Sequence, residues 1–210
     1  MRTFALLALA LAAPAARSAQ PPLPAAAALK ERRAVDVKRY AAIYDDHFLK
    51  APFNYKDATK EMERYFASLK TRAGATFFAE GRAADPKAFA YAMTLSAFAK
   101  EYPELGKLAR VEKLDGESVL FFETALAAGS GPEDFGAVAA AVSDFARRSG
   151  FRKAAYATVA EDNFEHQALL SRGFARLGSG ATFAMKWQTV HPDGSIADDD
   201  HRCVLYLKDL

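Results

Sequence analysis

The chain has 210 residues and a mass of 22.8 kDa, enough for one domain with a sizeable core. Its 51% hydrophobic and 26% charged residues exclude wholesale disorder and a polytopic membrane protein. The 28 basic and 26 acidic residues nearly balance, which gives no electrostatic case for nucleic acid as the main partner, and the one cysteine, Cys203, excludes an intramolecular disulfide and a cysteine-rich zinc site.

The first residues have the order of a secretory signal. A short basic start, Met1-Arg2-Thr3, precedes an unbroken apolar run from Phe4 to Ala13. Pro14 breaks that run, and small residues follow, with cleavage expected after Ser18 or Ala19. The run is about half the roughly 20 residues that a permanent transmembrane helix needs. We therefore expect residues 1–19 to be a signal peptide, 20–28 a flexible Pro- and Ala-rich leader, and 29–210 one domain without internal repeats. The alternative is a cytoplasmic protein with an Ala-rich disordered start. Removing the signal takes two basic residues, Arg2 and Arg17, and no acid, so the remaining chain is formally neutral. We then expect no stable membrane anchor to remain after the signal is removed. Roughly a fifth of the chain is alanine, well above ordinary usage, so the core must be read from Phe, Leu, Val, Tyr and Met.

Along the domain, Leu29 to Arg33 reads as a short strand. Asp36 to Phe48 reads as a helix carrying Tyr40, Ile43, Tyr44 and Phe48 at helical spacing, ended by Ala51-Pro52. Asp57 is a cap for a second helix, with Ala58, Met62, Tyr65, Phe66 and Leu69 on one face and Gly74 as its stop. Ala75 to Glu80 and Phe89 to Leu95 read as an antiparallel pair around the turn residues Gly81 to Pro86. Asp115-Gly116 predicts a second hairpin, joining Lys107–Leu114 to Glu117–Leu126. Val119 to Leu126 is then a strand. Glu133-Asp134 open a helix with Phe135, Val138, Val142 and Phe145 on one face, and Arg147, Arg148 and Gly150 at its end. Ala154 to Ala160 is continuously apolar, as a strand buried on both faces must be. Asp162 or Asn163 caps a short helix that Gly173 stops. Ala181 to Val190 alternates, with Phe183, Met185 and Trp187 on one side, and Pro192-Asp193-Gly194 turns the chain into a returning strand, Arg202 to Leu207. Antiparallel strands followed by a right-handed strand–helix–strand crossover make the class mixed α/β.

This element order resembles the GNAT superfamily of acyl-CoA-dependent N-acyltransferases: an antiparallel N-terminal meander, a βαβ unit and a C-terminal hairpin. Arg33-Ala34-Val35-Asp36 running into Tyr40-Ala41-Ala42-Ile43-Tyr44 is similar to the family's opening strand-to-helix passage. The most specific match runs from Asp162-Asn163 to Leu169-Leu170-Ser171-Arg172-Gly173-Phe174, which resembles its Asn-initiated helix ending in Gly-Phe. The resemblance implies transfer of an acyl group, acetyl for example, from acetyl-CoA or another acyl-CoA to a small-molecule or peptide amine, with no metal. It implies that the backbone of Leu126, Ala127 and Ala128 pairs with the pantetheine arm, that Phe135, Gly136 and Ala137 meet the pyrophosphate, and that Asn163 belongs to the cofactor site. It also points to Glu123 as the base that deprotonates the amine. By alternation alone, Glu123 reads instead as an edge or solvent-facing residue opposite Phe122 and Thr124.

The chain departs from the family's pattern at two places. Of the pyrophosphate loop only Gly136 is kept, with Glu133 replacing a basic or neutral residue and Val138 a small one. Leu169 stands where the family carries a tyrosine acid. Two carboxylates at a helix start stabilise the helix but occupy the positive end that a pyrophosphate uses. A competing expectation is therefore an exported, non-catalytic binding or structural module of the same fold. Elsewhere, His191, Asp193, Asp198, Asp199, Asp200 and His201 match no metal-loop spacing and read as a solvated hairpin. Cys203 reads as a buried structural thiol, Ser130 lacks the spacing of a nucleophile elbow, and His47 and His166 read as surface or boundary residues.

Overall fold

The computed structural model describes residues 27–28, 34–56, 59–178 and 180–210. The expected signal, most of the leader, the expected strand Leu29–Arg33 and the cap Asp57 lie outside these residues. A two-residue strand, β1 (Ala27–Ala28), falls inside the segment expected as leader and pairs with the next strand.

Helix α1 (Val37–Phe48) begins where Asp36 accepts hydrogen bonds from the N–H groups of Lys38 and Arg39, and it buries Tyr40, Ile43 and Tyr44 as the spacing predicts. Helix α2 (Thr59–Thr71) follows. Strands β2 (Thr76–Arg82), β3 (Asp85–Thr94) and β4 (Val119–Leu126) form an antiparallel meander. Helix α5 (Pro132–Arg148), after the short helices α3 (Leu95–Glu101) and α4 (Pro103–Val111), crosses to β5 (Lys153–Val159), which lies parallel to β4. Helix α6 (Phe164–Ser171) leads through β6 (Ala175–Arg176) to the hairpin of β7 (Thr182–Val190) and β8 (Ile196–Asp209). The sheet order is β1-β2-β3-β4-β5-β8-β6, with β7 on the same edge of β8 as β6. The mixed α/β class, the meander, the βαβ unit and the terminal hairpin are all present.

Alternation divides the sheet into two apolar faces. Phe77, Phe89, Tyr91, Met93, Phe121 and Leu205 face the helices α1 to α4. Phe78, Leu120, Phe122, Tyr156 and Tyr206 face α5. On this second face Ala88, Ala90 and Ala92 lie opposite Leu126, Thr124 and Phe122, and α5 buries Ala137, Ala139, Ala141 and Ala146 against the sheet. Small residues on both surfaces let the helix lie close, which is where much of the alanine of this domain is used.

One expected element is overturned. Lys107–Leu114 is not a strand: residues 103–111 are helix α4, begun by Pro103 at its first turn, with Leu105, Leu108 and Ala109 buried at helical spacing. Asp115-Gly116 turns the chain from that helix into β4 instead of joining two strands, with the Ser118 N–H donating to Asp115 O at 3.0 Å. Helix α3 and strand β6 were not anticipated; Thr94 ends β3 early by capping α3, its hydroxyl accepting from Ala97 N–H at 3.2 Å. The returning strand β8 also begins well before Arg202.

The turn before β4 is packed against α3 so tightly that a Cβ on residue 116 would fall 3.0 Å from Ser96 N. We expect Gly116→Ala to lower stability by about 1–3 kcal/mol through overpacking. A denaturant melt with an unchanged midpoint would refute this account of the turn.

Candidate active site

The ladder between β4 and β5 ends at Phe122 and Tyr156, although both strands continue. Their outer edges stay paired, β4 with β3 as far as Leu126 and β5 with β8 as far as Val159. The Ala127 N–H donates to Lys87 O at 2.8 Å, and the Ala160 N–H donates to Arg202 O at 2.7 Å. Strand alternation then directs the backbone groups of Thr124 and Leu126, and of Ala157 and Val159, into the opening. An extended chain carrying amide groups could pair there as an additional strand does.

Glu123 lies beside this opening on the face of α1 to α4. Its Oε2 accepts from the Tyr91 hydroxyl and, at 3.4 Å, from the Tyr44 hydroxyl, and neither tyrosine uses Oε1. Burial pushes the Glu123 carboxyl up from the ordinary 4.5 to about 7, against the opposite pull of the Tyr91 hydrogen bond; the charge of Glu101 raises it further. The carboxylate in turn holds the neighbouring phenols protonated. The pKa of Tyr102 is raised chiefly by the Glu123 charge and then by burial, and those of Tyr44 and Tyr91 chiefly by burial and then by that charge.

Glu123 opens into a cavity of about 110 Å³. Its walls include Tyr156 to Val159 at the strand opening, Tyr44 and Phe48 of α1, Phe53 and Tyr55 of the following loop, and Trp187 of β7. The Trp187 indole lies parallel to His201 with ring centroids 3.8 Å apart and meets Tyr55 edge-on at 6.0 Å.

Comparison with solved structures places this architecture. A ribosomal-protein-alanine N-acetyltransferase from Brucella melitensis matches with a TM-score of 0.58 at 14% identity, over 83% of this chain and 94% of that one. AAC(6')-Ib in complex with ribostamycin and coenzyme A matches with a TM-score of 0.57 at 11% identity, over 89% and 94%. A GCN5-related N-acetyltransferase from Kribbella flavida matches with a TM-score of 0.51 at 15% identity, over 88% and 95%. The fold is that of the GNAT acetyltransferases. No family model matches the sequence, and no curated protein does. At these identities the likeness carries the fold, and the chemistry has to be read from this chain's own residues.

Within this GNAT fold, the residues expected to form the cofactor site gather around the C-terminal ends of β4 and β5. Leu126 closes β4, with its side chain buried on the α5 face. Ala128 lines a separate open pocket with Gly129, Ser130 and Glu133, whose lining shares no residue with the aromatic cavity. Phe135 is fully buried, edge-on to Tyr156 at 5.3 Å and to Phe164 at 5.8 Å, and Ala137 is buried on the same helix. Asn163 caps α6, accepting from Glu165 N–H at 2.9 Å and donating to Thr158 Oγ1 at 3.3 Å. Leu169 is wholly in the core.

The start of α5 differs from a bare phosphate cradle. The Gly131 N–H donates to Asp134 Oδ2 at 3.1 Å, the Asp134 and Phe135 N–H groups donate to Gly131 O, Ser130 donates its hydroxyl to Lys87 O, and Pro132 has no N–H. The turn therefore has few donors to spare for a pyrophosphate, and the Glu133 carboxylate lies over Gly131. Arg172, from the end of α6, reaches over the same helix start. Its guanidinium covers Gly136 so closely that a Cβ there would fall 2.7 Å from Nε. A cation thus stands beside the first turns of α5, at the position where the sequence led us to expect an anion.

Behind the opening, Glu165 is fully buried and accepts from the Tyr156 hydroxyl at 2.7 Å; His47 Nε2 of α1 lies 3.7 Å from the same oxygen. His47 is thus no surface residue but 8% exposed, and it brings α1 close to Glu165 of α6 without a hydrogen bond between them. His166 is half-buried, with Nδ1 2.8 Å from the Tyr206 hydroxyl. Cys203 is buried in the cavity wall, its thiol pushed up by burial to about 12, which suits a structural group and not a nucleophile. Among the described residues no three His, Cys, Asp or Glu side chains are placed to hold a metal, and no helix is long and apolar enough to cross a membrane.

Sequence reasoning pointed to Glu123 but not to the hydroxyls around it. Tyr44 read as one more apolar face residue of α1, and Tyr91 as one more strand residue. Only the fold brings them onto one carboxylate.

Two outcomes follow for stability. Glu165→Ala leaves the buried Tyr156 hydroxyl without its acceptor and should cost about 1–3 kcal/mol, most of it recovered in Glu165→Gln, as read from urea midpoints; equal midpoints for all three proteins would disprove the assignment. For Glu123, the native pKa near 7 lies above the ordinary 4.5. Between those values the native state keeps a proton that the unfolded chain has released, so this group's contribution to stability falls as pH rises through that window. Glu123→Gln should therefore match the parent Tm near pH 4 and equal or exceed it near pH 8, and a variant selectively less stable at pH 8 would contradict the buried carboxylate.

Proposed function

We propose that this protein is an N-acyltransferase that takes an acyl group from an acyl-CoA, with Glu123 as the base that removes the proton of the acceptor amine. One observation carries the reading: a carboxylate with one oxygen anchored by two tyrosines and its pKa near 7 stands in a cavity wall where β4 and β5 part. Structural neighbours at low identity include an acetyltransferase fold solved with coenzyme A and an aminoglycoside, which supports the reaction class.

The strand opening offers Thr124, Leu126, Ala157 and Val159 backbone groups to an extended amide-bearing arm such as pantetheine. Arg172 beside Gly136 offers a partner for a phosphate. A bound acyl thioester supplies an electrophilic carbonyl. The amine nitrogen attacks that carbonyl, so that a C–N bond forms and the C–S bond breaks; Glu123 accepts the amine proton at Oε1 while Oε2 stays fixed by Tyr91 and Tyr44, the thiolate of the donor leaves and takes its proton from solvent, and the aromatic walls keep competing water from the carbonyl. The N-terminal signal-like segment supports export, to be checked by the mass of the protein recovered from its native cells.

A second reading, a binding module of the same fold without transfer, draws support from Glu133 and Asp134 at the start of α5. Calorimetry with acetyl-CoA and a thiol-release assay over a panel of amines separate the two. We expect saturable binding, weakened in Arg172→Ala, and transfer whose rate falls about tenfold per pH unit below pH 7 as Glu123 protonates. Glu123→Gln should lose about 10²–10⁴ in rate and lose the acid limb belonging to that carboxylate. No binding of acetyl-CoA at millimolar concentration would remove the transferase reading for that donor.

A further inference from the structure

The cavity beside Glu123 is small and mostly aromatic. The whole cavity, open on one side, is about 110 Å³, against the 150 Å³ or so of an enclosed engineered apolar cavity that holds one benzene. That space must also admit the reacting acyl carbon. Among the lining residues Glu123 is the one anionic side chain and Lys186 the one cationic side chain. Lys186 is largely exposed and lies 3.9 Å from Asp198, so it stands at the rim. The remaining acceptor-side wall is aromatic: Phe48, Phe53, Tyr55 and Trp187.

That wall is built before any ligand arrives. The Trp187 indole is stacked on His201 and donates Nε1–H to Phe53 O at 3.4 Å, while His201 Nε2 lies 2.7 Å from the Thr189 hydroxyl. Phe48 and Phe53 meet edge-on at 5.0 Å. A preorganised aromatic wall favours a ligand that is apolar at one end and leaves little room to rearrange around a larger one. An ammonium beside Glu123 gains its charge-assisted hydrogen bond and the faces of the surrounding rings. A second ammonium along the aromatic wall would meet no further acid among the cavity's lining residues, and at the rim it would compete with Lys186 for Asp198.

Resting on the acyltransferase reading, we infer that the acceptor is a primary alkylamine with one charge and a short apolar chain, its nitrogen at Glu123 and its chain among Phe48, Phe53, Tyr55 and Trp187. Free alkylamines and lysine side chains share this chemistry. Polyamines and aminoglycosides do not.

Binding without any donor tests this separately from catalysis. Trp187 is the one tryptophan, so its emission reports on the wall directly, with calorimetry as a second readout on the full chain. Butylamine near pH 8 should give a saturable change, and butanol and spermidine should each bind at least about tenfold more weakly. Glu123→Gln should weaken butylamine about tenfold or more while leaving butanol unchanged, and Trp187→Leu, read by calorimetry, should weaken both. Nα-acetyl-lysine methylamide binding as well as butylamine would identify a lysine side chain as the source, and weaker binding a free amine. Spermidine or ribostamycin binding as tightly as butylamine, butylamine indifferent to Glu123→Gln, or no saturable change with butylamine would overturn the inference. Butylamine that binds as described but releases no thiol from acetyl-CoA would instead overturn the transferase reading and leave the cavity's selectivity standing.

Discussion

The chemistry proposed for this molecule depends on where one backbone ladder stops. Strands β4 and β5 are bonded only as far as Phe122 and Tyr156, yet each remains paired on its outer side to its last residues. Stopping a ladder inside a sheet is costly, because each strand keeps polar backbone groups that need partners. The outer ladders hold both strands extended, so the opening keeps its shape without closing. On the α1 side Glu123 and its tyrosines line it; on the α6 side Tyr156, Glu165 and His47 form a buried polar link. The gap is therefore polar along its edges and aromatic at its base, which suits a ligand that brings both amide groups and a reactive carbonyl.

The elements that define this frame were legible in the sequence because each buries a face with a clear period. Helix α1 shows its spacing of Tyr40, Ile43 and Tyr44, α5 combines a long apolar face with acids at its start and arginines at its end, and β5 is apolar without interruption because both its faces are covered. The region from Leu95 to Leu114 was not legible in the same way. Two short helices follow each other there, and the strong local turn signal of Asp115-Gly116 drew its surroundings toward a hairpin. The same dipeptide serves a helix-to-strand turn equally well, and packing of Gly116 on Ser96 decides between them.

The site was legible in part, and the division is physical. A carboxylate in an apolar strand stands out, so Glu123 drew notice. Its partners do not, since Tyr44, Tyr91 and Tyr102 look like ordinary core aromatics until tertiary structure directs their hydroxyls toward one charge. His47 and Glu165 are hidden for a similar reason. Each sits on a different helix, and only the sheet between α1 and α6 explains why two polar groups this far apart in sequence can be buried together. Long-range polar pairs leave no periodic trace.

The start of α5 shows how a lost local motif can be offset from elsewhere in the chain. Glu133 and Asp134 suit the helix dipole and Asp134 closes the first turn by accepting from Gly131, so these residues favour the helix itself over a bound anion. Arg172 brings a positive charge to the helix start from outside the loop, and the missing side chain at Gly136 is what lets its guanidinium approach. Gly136 thus has a role here that does not depend on phosphate contact by its own backbone: any side chain at that position would displace the cation. On the acyltransferase reading proposed above, the positive field at this helix start is reinforced by one arginine delivered from the neighbouring helix, so affinity for an anionic donor would rest more on that side chain than on the conformation of the loop.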